Sequence, residues 1–234
     1  MSHRTGHTFR ADPARARLDA ALTLAKNGRE TARRLLATLP SHWTESKAQN
    51  AVPEAVWTSA KQISVDLASA LDYVATELES AGIGPTSGNA HFPAARPGQS
   101  EADFLEWLKG RLPGIERAPS VKRRLLELQH FGKPDCGWVH LLQELSNVFK
   151  HRGPPHHHLT VHRFTATKEG YVPRRGEEYM IEMEGFDGDV GQFLLRASEA
   201  VVDFIRCMRG VVGDGYREGC RSPTKFDPLV VAEF

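Results

Sequence analysis

The stretch LLQELSNVFKHRGPPHHHL, residues 141–159, holds the end of a helix, a break and the start of an extended segment. Its apolar residues recur every three or four positions, which predicts an amphipathic helix from about 137 to 152. The Gly-Pro-Pro sequence at 153–155 ends that helix, because proline has no backbone N–H and clashes with the preceding turn. The residues that follow alternate with period two, as in a β-strand. This stretch therefore predicts a helix that is followed by a β-strand.

Before this stretch the chain has the pattern of further helices. One apolar stripe runs from Leu18 to Leu39, with Asp12 and Pro13 as its cap and first turn, and we expect it to end at PSHWTESKAQNAVP, residues 40–53. A second stripe continues from 56 to 78. After a loop rich in Gly, Pro and Ser at 83–100, two shorter helices are predicted at 100–112 and 120–131, and Ser100 with Asp103 forms the capping box of the first.

After the break, HLTVHRFTAT (158–167) and EEYMIEME (177–184) alternate with period two and are separated by KEGYVPRRG, which predicts a β-hairpin. A last long helix is expected from 189 to about 212. The fold class is therefore mainly α: a helical bundle with a β-hairpin inserted before the last long helix. We expect a single domain over 1–234, with the bundle at about 12–153 and 189–212, the hairpin at about 156–186 and an irregular tail at 213–234.

Composition limits the classes of function. The 234 residues are 40% hydrophobic and 25% charged, as in globular domains, and the net charge of +1 gives no general attraction to nucleic acid, so an RNA contact needs a local basic patch. The three cysteines are scattered without a CxxC motif, which favours free thiols in the cytoplasm. No apolar run reaches eighteen residues, so we expect no membrane contact.

The helix of the opening stretch has one polar ridge. At about 100° per residue, His140, Glu144, Asn147 and His151 lie within about one quarter of the circumference, opposite the apolar stripe. An imidazole can accept or donate a proton, an amide can orient it, and a carboxylate can favour its charged form. The exposed face of any amphipathic helix is also polar, so a solvated ridge without chemistry is the alternative.

Three segments together resemble a known group. They are DLASALDYVATEL at 66–78, LLELQHF at 125–131 and LLQELSNVFKHR at 141–152, and they are similar to bacterial helical-bundle proteins with an LRSALDHL-like helix, a QP[FY]-like segment and an L..L.N.DKHR motif. The last motif also resembles the RNxxxH signature of the HEPN superfamily. That resemblance implies a dimeric helical bundle which, in many members, cleaves RNA without a metal and without a cofactor.

The resemblance can be carried over position by position. Asn147 and His151 stand at the Asn and His of the signature, and Ser146 stands where its Arg would be. It implies that His151 transfers the proton as general acid and base on RNA. We expect Asn147 to orient that imidazole and Lys150, which lies on the same turn as Asn147, to supply positive charge. Arg152, His140 and Glu144 are the expected substrate contacts, and the alternative for Arg152, which projects near the apolar side, is a buried structural partner for a carboxylate. The resemblance also makes Asp72 the family-like acidic residue and places Tyr73 where a His is usual, and for both we expect a role in helix pairing.

The histidines at 156–158 and His162 invite comparison with a metal site. Zinc accepts imidazole ligands, but neighbouring residues of a strand point to opposite sides, and no CxxC or HExxH spacing accompanies them. We therefore expect no bound metal and interpret these residues as loop histidines beside the helix end. A glycine-rich phosphate loop and a GxSxG motif are also missing from the sequence, which disfavours nucleotide phosphoryl transfer and triad hydrolysis.

Two functions remain open from the sequence. The first is an RNA-directed homodimer, a metal-independent endoribonuclease of toxin or antiviral-defence type. The second is a non-catalytic helical scaffold that binds a partner protein or a nucleotide, with Ser146 marking the loss of the active site. The surroundings of His151 distinguish them, since an enzyme needs basic groups in an open cleft around that imidazole.

Overall fold

Helices dominate the computed structural model, which describes residues 13–49, 52–84, 91–133, 136–151, 157–167, 170–183, 186 and 188–213. The prediction of a mainly helical bundle is confirmed. The elements, in chain order, are α1 (Pro13–Gln49), α2 (Glu54–Ser80), α3 (Glu101–Arg111), a 3₁₀ turn (Ile115–Arg117), α4 (Pro119–Gln129), α5 (Trp138–His151), β1 (His157–Thr167), β2 (Gly170–Met183) and α6 (Val190–Gly213).

The core lies between the three long helices. α1 packs against α2 and α6, and α5 packs against α2. Gly28 on α1 lets the backbones approach, since a Cβ there would lie 3.2 Å from the Leu67 side chain. Edge-to-face aromatic pairs join more distant parts of the chain, with ring centroids 5.2 Å apart for Trp57 and Phe149 and 5.5 Å apart for Phe92 and Phe204. The apolar stripes predicted for these helices are thus the surfaces that meet in the core.

Pro40 does not end α1, so the boundary predicted there is wrong. The helix continues through Pro40 to Gln49. Pro40 is exposed, and a proline on the water-facing side leaves the unpaired carbonyl of the preceding turn where solvent can bind it. Thr44 donates its hydroxyl to the Pro40 carbonyl at 3.1 Å, one turn further on. The presence of a proline in the sequence does not by itself show which side of the helix that proline occupies.

The other helix boundaries agree with the sequence to within a few residues. Ser100 caps α3, accepting the backbone N–H of Asp103 at 3.1 Å and donating its hydroxyl to the Asp103 carboxylate at 2.6 Å. This confirms the predicted cap. α4 ends at a left-handed residue, His130, with φ of 56°. Such a residue is a usual end to a helix, because it turns the chain out of the helical path.

The two strands between α5 and α6 are antiparallel and form one two-stranded sheet in the described part of the chain. The connection is shorter than predicted: β2 begins at Gly170, so most of the segment taken as a turn belongs to the strand. At its base the sheet is fixed to the bundle. The buried Asp189 carboxylate accepts the N–H groups of Ile181 at 3.1 Å and Gly191 at 2.8 Å, joining β2 to the start of α6.

Several expectations fall on residues that the structure does not describe. The tail beyond residue 213, His156 and Arg152 lie outside the described residues. Among the helices that are described, none combines the length and the hydropathy that crossing a membrane requires.

Candidate functional site

The last two turns of α5 present the residues that carry the proposed chemistry. Asn147, Lys150 and His151 are all exposed. At about 100° per residue, Lys150 and His151 lie on either side of Asn147, about 60° and 40° away around the helix axis. A positive charge in the last turn is also favoured by the helix dipole. A cation and an imidazole therefore flank an amide on an open surface.

The first half of the ridge behaves differently. His140 and Glu144 are one turn apart and their side chains approach to 3.9 Å between Nε2 and Oε1. Glu144 is exposed, and an exposed pair of this kind contributes little to stability. The carboxylate that the sequence assigns to the ridge is thus paired with His140, one turn toward the start of the helix. The predicted ridge is present, but Glu144 lies about two turns before His151 along the helix.

Ser146, which stands in place of the signature arginine, points into the bundle. Its side chain is buried, with a relative exposure of 1%, and its hydroxyl oxygen has no hydrogen-bond partner within the described part of the chain. Position 146 lies about 140° around the axis from His151. An arginine at this position would have to be buried, so the departure from the signature concerns the orientation of the helix as well as the identity of one residue.

Asp72, on α2, brings a carboxylate to the neighbourhood of Lys150. Its Oδ1 accepts the backbone N–H of Phe92 at 3.1 Å and lies 3.9 Å from Nδ1 of His91. Burial raises the pKa of Asp72 above its ordinary value, while the Phe92 N–H, His91 and Lys150 each act in the opposite direction. A carboxyl group with a raised pKa beside two basic groups is typical of functional sites, and it also occurs in structural ion-pair networks.

The segment that carries His91 is held in place by two amide side chains. Gln129, fully buried, accepts the N–H of Ala95 at 2.8 Å and donates to the carbonyl of Pro93 at 3.2 Å. Gln143 on α5 donates to the carbonyl of Phe92 at 2.9 Å. The segment from 91 to 95 therefore bridges α2, α4 and α5, and it fixes where His91 can reach.

Sequence reasoning assigned Asp72 and Tyr73 to helix pairing and did not single out His91. Asp72 does link elements, but to the 91–95 segment through the Phe92 N–H. Tyr73 is 43% exposed, which does not fit a role in pairing helices. His91 lies in a stretch rich in glycine and proline with no periodic pattern, and the only available signal was the resemblance that marks Asp72 as an acidic position.

Some of the remaining predicted site residues lie outside the part of the chain that the structure describes. Arg152 lies outside the described residues, and His157, His158 and His162 belong to β1. Within the described ranges, no group of three or more metal-binding side chains is gathered at one place.

Comparison with known proteins adds no relative. No family model, no curated protein and no solved structure matches this chain significantly.

Proposed function

We propose that this protein is an HEPN-like, RNA-directed homodimer whose α5 ridge cleaves RNA without a metal ion. The observation that carries the proposal is the cluster at the end of α5, where Asn147, Lys150 and His151 are all exposed and Lys150 lies close enough to Asp72 to lower the pKa of that carboxyl, which burial raises. The hairpin inserted between α5 and α6 belongs to the same proposed architecture.

The chemistry assigns one task to each side chain. The neutral imidazole of His151 removes the proton of a ribose 2′-hydroxyl, and the 2′-oxygen attacks the adjacent phosphorus. The bond from phosphorus to the 5′-oxygen breaks, and the imidazolium returns its proton to that oxygen. Products are a 2′,3′-cyclic phosphate and a 5′-hydroxyl. Lys150 stabilises the negative charge on the phosphate, and Asn147 orients the imidazole of His151.

Charge and exposure support binding of a polyanion at this end of α5. Lys150 and His151 are in the last turn, and His91 is 77% exposed on the neighbouring segment. RNA binding is therefore expected to weaken with added salt.

A second candidate function rests on the burial of Ser146. With the signature arginine replaced by a core residue, the end of α5 retains only Lys150 as a described cation in its last turn besides His151. In this account the protein is a helical scaffold whose ridge binds a partner protein or a nucleotide and breaks no bond. Folding and assembly are then unchanged by loss of His151.

The test is cleavage of total RNA in EDTA by the wild-type chain and by His151→Ala. A matched control is His42→Ala, which removes a histidine from α1 that pairs with Glu45. We expect wild type and His42→Ala to cut and His151→Ala to be at least about 100-fold slower, in the range found for loss of general acid–base catalysis. Equal cleavage by all three would refute the role of His151. Folded wild type that binds RNA or a partner and leaves RNA intact would favour the scaffold.

A further inference from the structure

The sequence of β2 has a charge pattern that is complementary to itself. Residues 174–178 read Arg-Arg-Gly-Glu-Glu, two positive residues and two negative residues on either side of Gly176. If this segment pairs in antiparallel fashion with a second copy about a two-fold axis at Gly176, Arg174 lies opposite the partner's Glu178 and Arg175 opposite the partner's Glu177. Every charged residue of the segment then meets one of opposite sign.

The sheet leaves this segment available for such pairing. In the ladder between the strands, His162 is opposite Glu178 and Phe164 is opposite Pro173. Between these two pairs β1 contributes one residue, 163, and β2 contributes four, 174–177, so the four have no register partner on β1. The opposite edge of β2 has no neighbouring strand in the described part of the chain. Unpaired strand edges offer backbone N–H and C=O groups to another chain.

The residues around the axis fit a short, bounded contact. Gly176 on the axis has no Cβ, so two strands can approach there without a side-chain clash. Pro173 has no N–H to donate, so the pairing ends at Arg174. Proline is found in sheets mainly on edge strands. A two-fold contact of this kind is isologous and closes on itself, and it does not propagate into a filament.

We propose that two copies of this chain associate through residues 174–178 of β2, antiparallel about Gly176, with each Arg paired to a Glu of the other copy. The occupant of this strand edge is thus a second copy of the same chain. This inference does not depend on RNA cleavage by α5, and it gives the proposed homodimer a defined surface.

Charge reversal tests the pairing directly, by analytical ultracentrifugation at low salt. Arg174→Glu/Arg175→Glu makes the segment all acidic, and Glu177→Arg/Glu178→Arg makes it all basic, so each variant alone places like charges opposite each other. We expect the dissociation constant of each to rise by on the order of 100-fold relative to wild type. Mixed in equal amounts, the two variants regain a dimer, now of one acidic and one basic chain.

The fourfold variant, with both pairs reversed in one chain, is the matched control. Its segment reads Glu-Glu-Gly-Arg-Arg and is again self-complementary, so it is expected to dimerise like wild type. A wild type that stays monomeric, or double variants that remain dimeric, would overturn the proposal. So would a contact of this segment with RNA alone: the all-basic variant would then bind RNA more tightly than wild type, and mixing with the acidic variant would form no dimer.

Discussion

Asp72 is the titratable residue at the site for which charge and stability are most directly linked. Its pKa is raised above 3.8, first by burial, so between pH 3.8 and the folded pKa the native chain holds a proton that the unfolded chain releases. Stability from this group is therefore fully present below pH 3.8 and is lost as the pH rises through the folded pKa. At neutral pH the ionised carboxyl opposes folding slightly.

Asp72→Asn should accordingly stabilise the fold at neutral pH. The amide oxygen can still accept the Phe92 N–H, and no charge is buried. Because the side chain is 40% exposed, solvent screening limits the gain to about 0.5 kcal/mol or less. Urea unfolding of both proteins from about pH 4 to pH 7 measures this. A variant less stable than wild type at pH 7 would mean that the attraction to Lys150 outweighs the burial.

A second prediction concerns Ser146, whose buried hydroxyl has no hydrogen-bond partner in the described residues. Ser146→Ala removes an unsatisfied polar group from the interior of a helix and should raise the free energy of unfolding by about 1 kcal/mol. Ser146→Arg restores the arginine of the signature but buries a charge, and it should lower the free energy of unfolding by about 3 kcal/mol or more. Thermal unfolding compares them. An arginine variant as stable as wild type would contradict the inward orientation of this position.

Elements were predictable where the apolar period decides them. The stripe on α2 and the stripe on α5 each placed their helix to within a few residues, because burial of one face follows directly from spacing. Pro40 misled the prediction for α1, since its exposed placement depends on which side of the helix faces the core. The start of β2 was missed because Pro173 and the irregular register break the period-two pattern that identifies a strand.

The 91–95 segment is an element held by side chains, and Gln129 is its main anchor. Gln129→Ala leaves the N–H of Ala95 and the carbonyl of Pro93 without their partner in the interior, and should cost about 2–4 kcal/mol. Gln143→Ala, which removes one contact to Phe92, should cost about 1 kcal/mol. Hydrogen exchange at Ala95 should accelerate only in the Gln129 variant. Equal costs for the two variants would show that the segment is held by its apolar contacts.

For the whole molecule, the site combines features that sequence can and cannot predict. The ridge of α5 is local, so spacing alone brings Asn147 and His151 to one side. The approach of His91 and Lys150 to Asp72 depends on how α2, α5 and the 91–95 segment pack, which involves contacts between residues far apart in the chain. No local pattern encodes such a contact. The inward orientation of Ser146 likewise follows from the position of α5 on the bundle.

The central claim is that the end of α5 promotes cleavage of RNA by attack of the RNA's own 2′-hydroxyl, with His151 transferring the proton. The most direct measurement is the identity of the new RNA ends produced by the wild-type protein in EDTA, with His151→Ala as the control. We predict 2′,3′-cyclic phosphate and 5′-hydroxyl ends that are lost with His151. Ends bearing a 5′-phosphate, or intact RNA in the presence of folded wild-type protein, would contradict the claim.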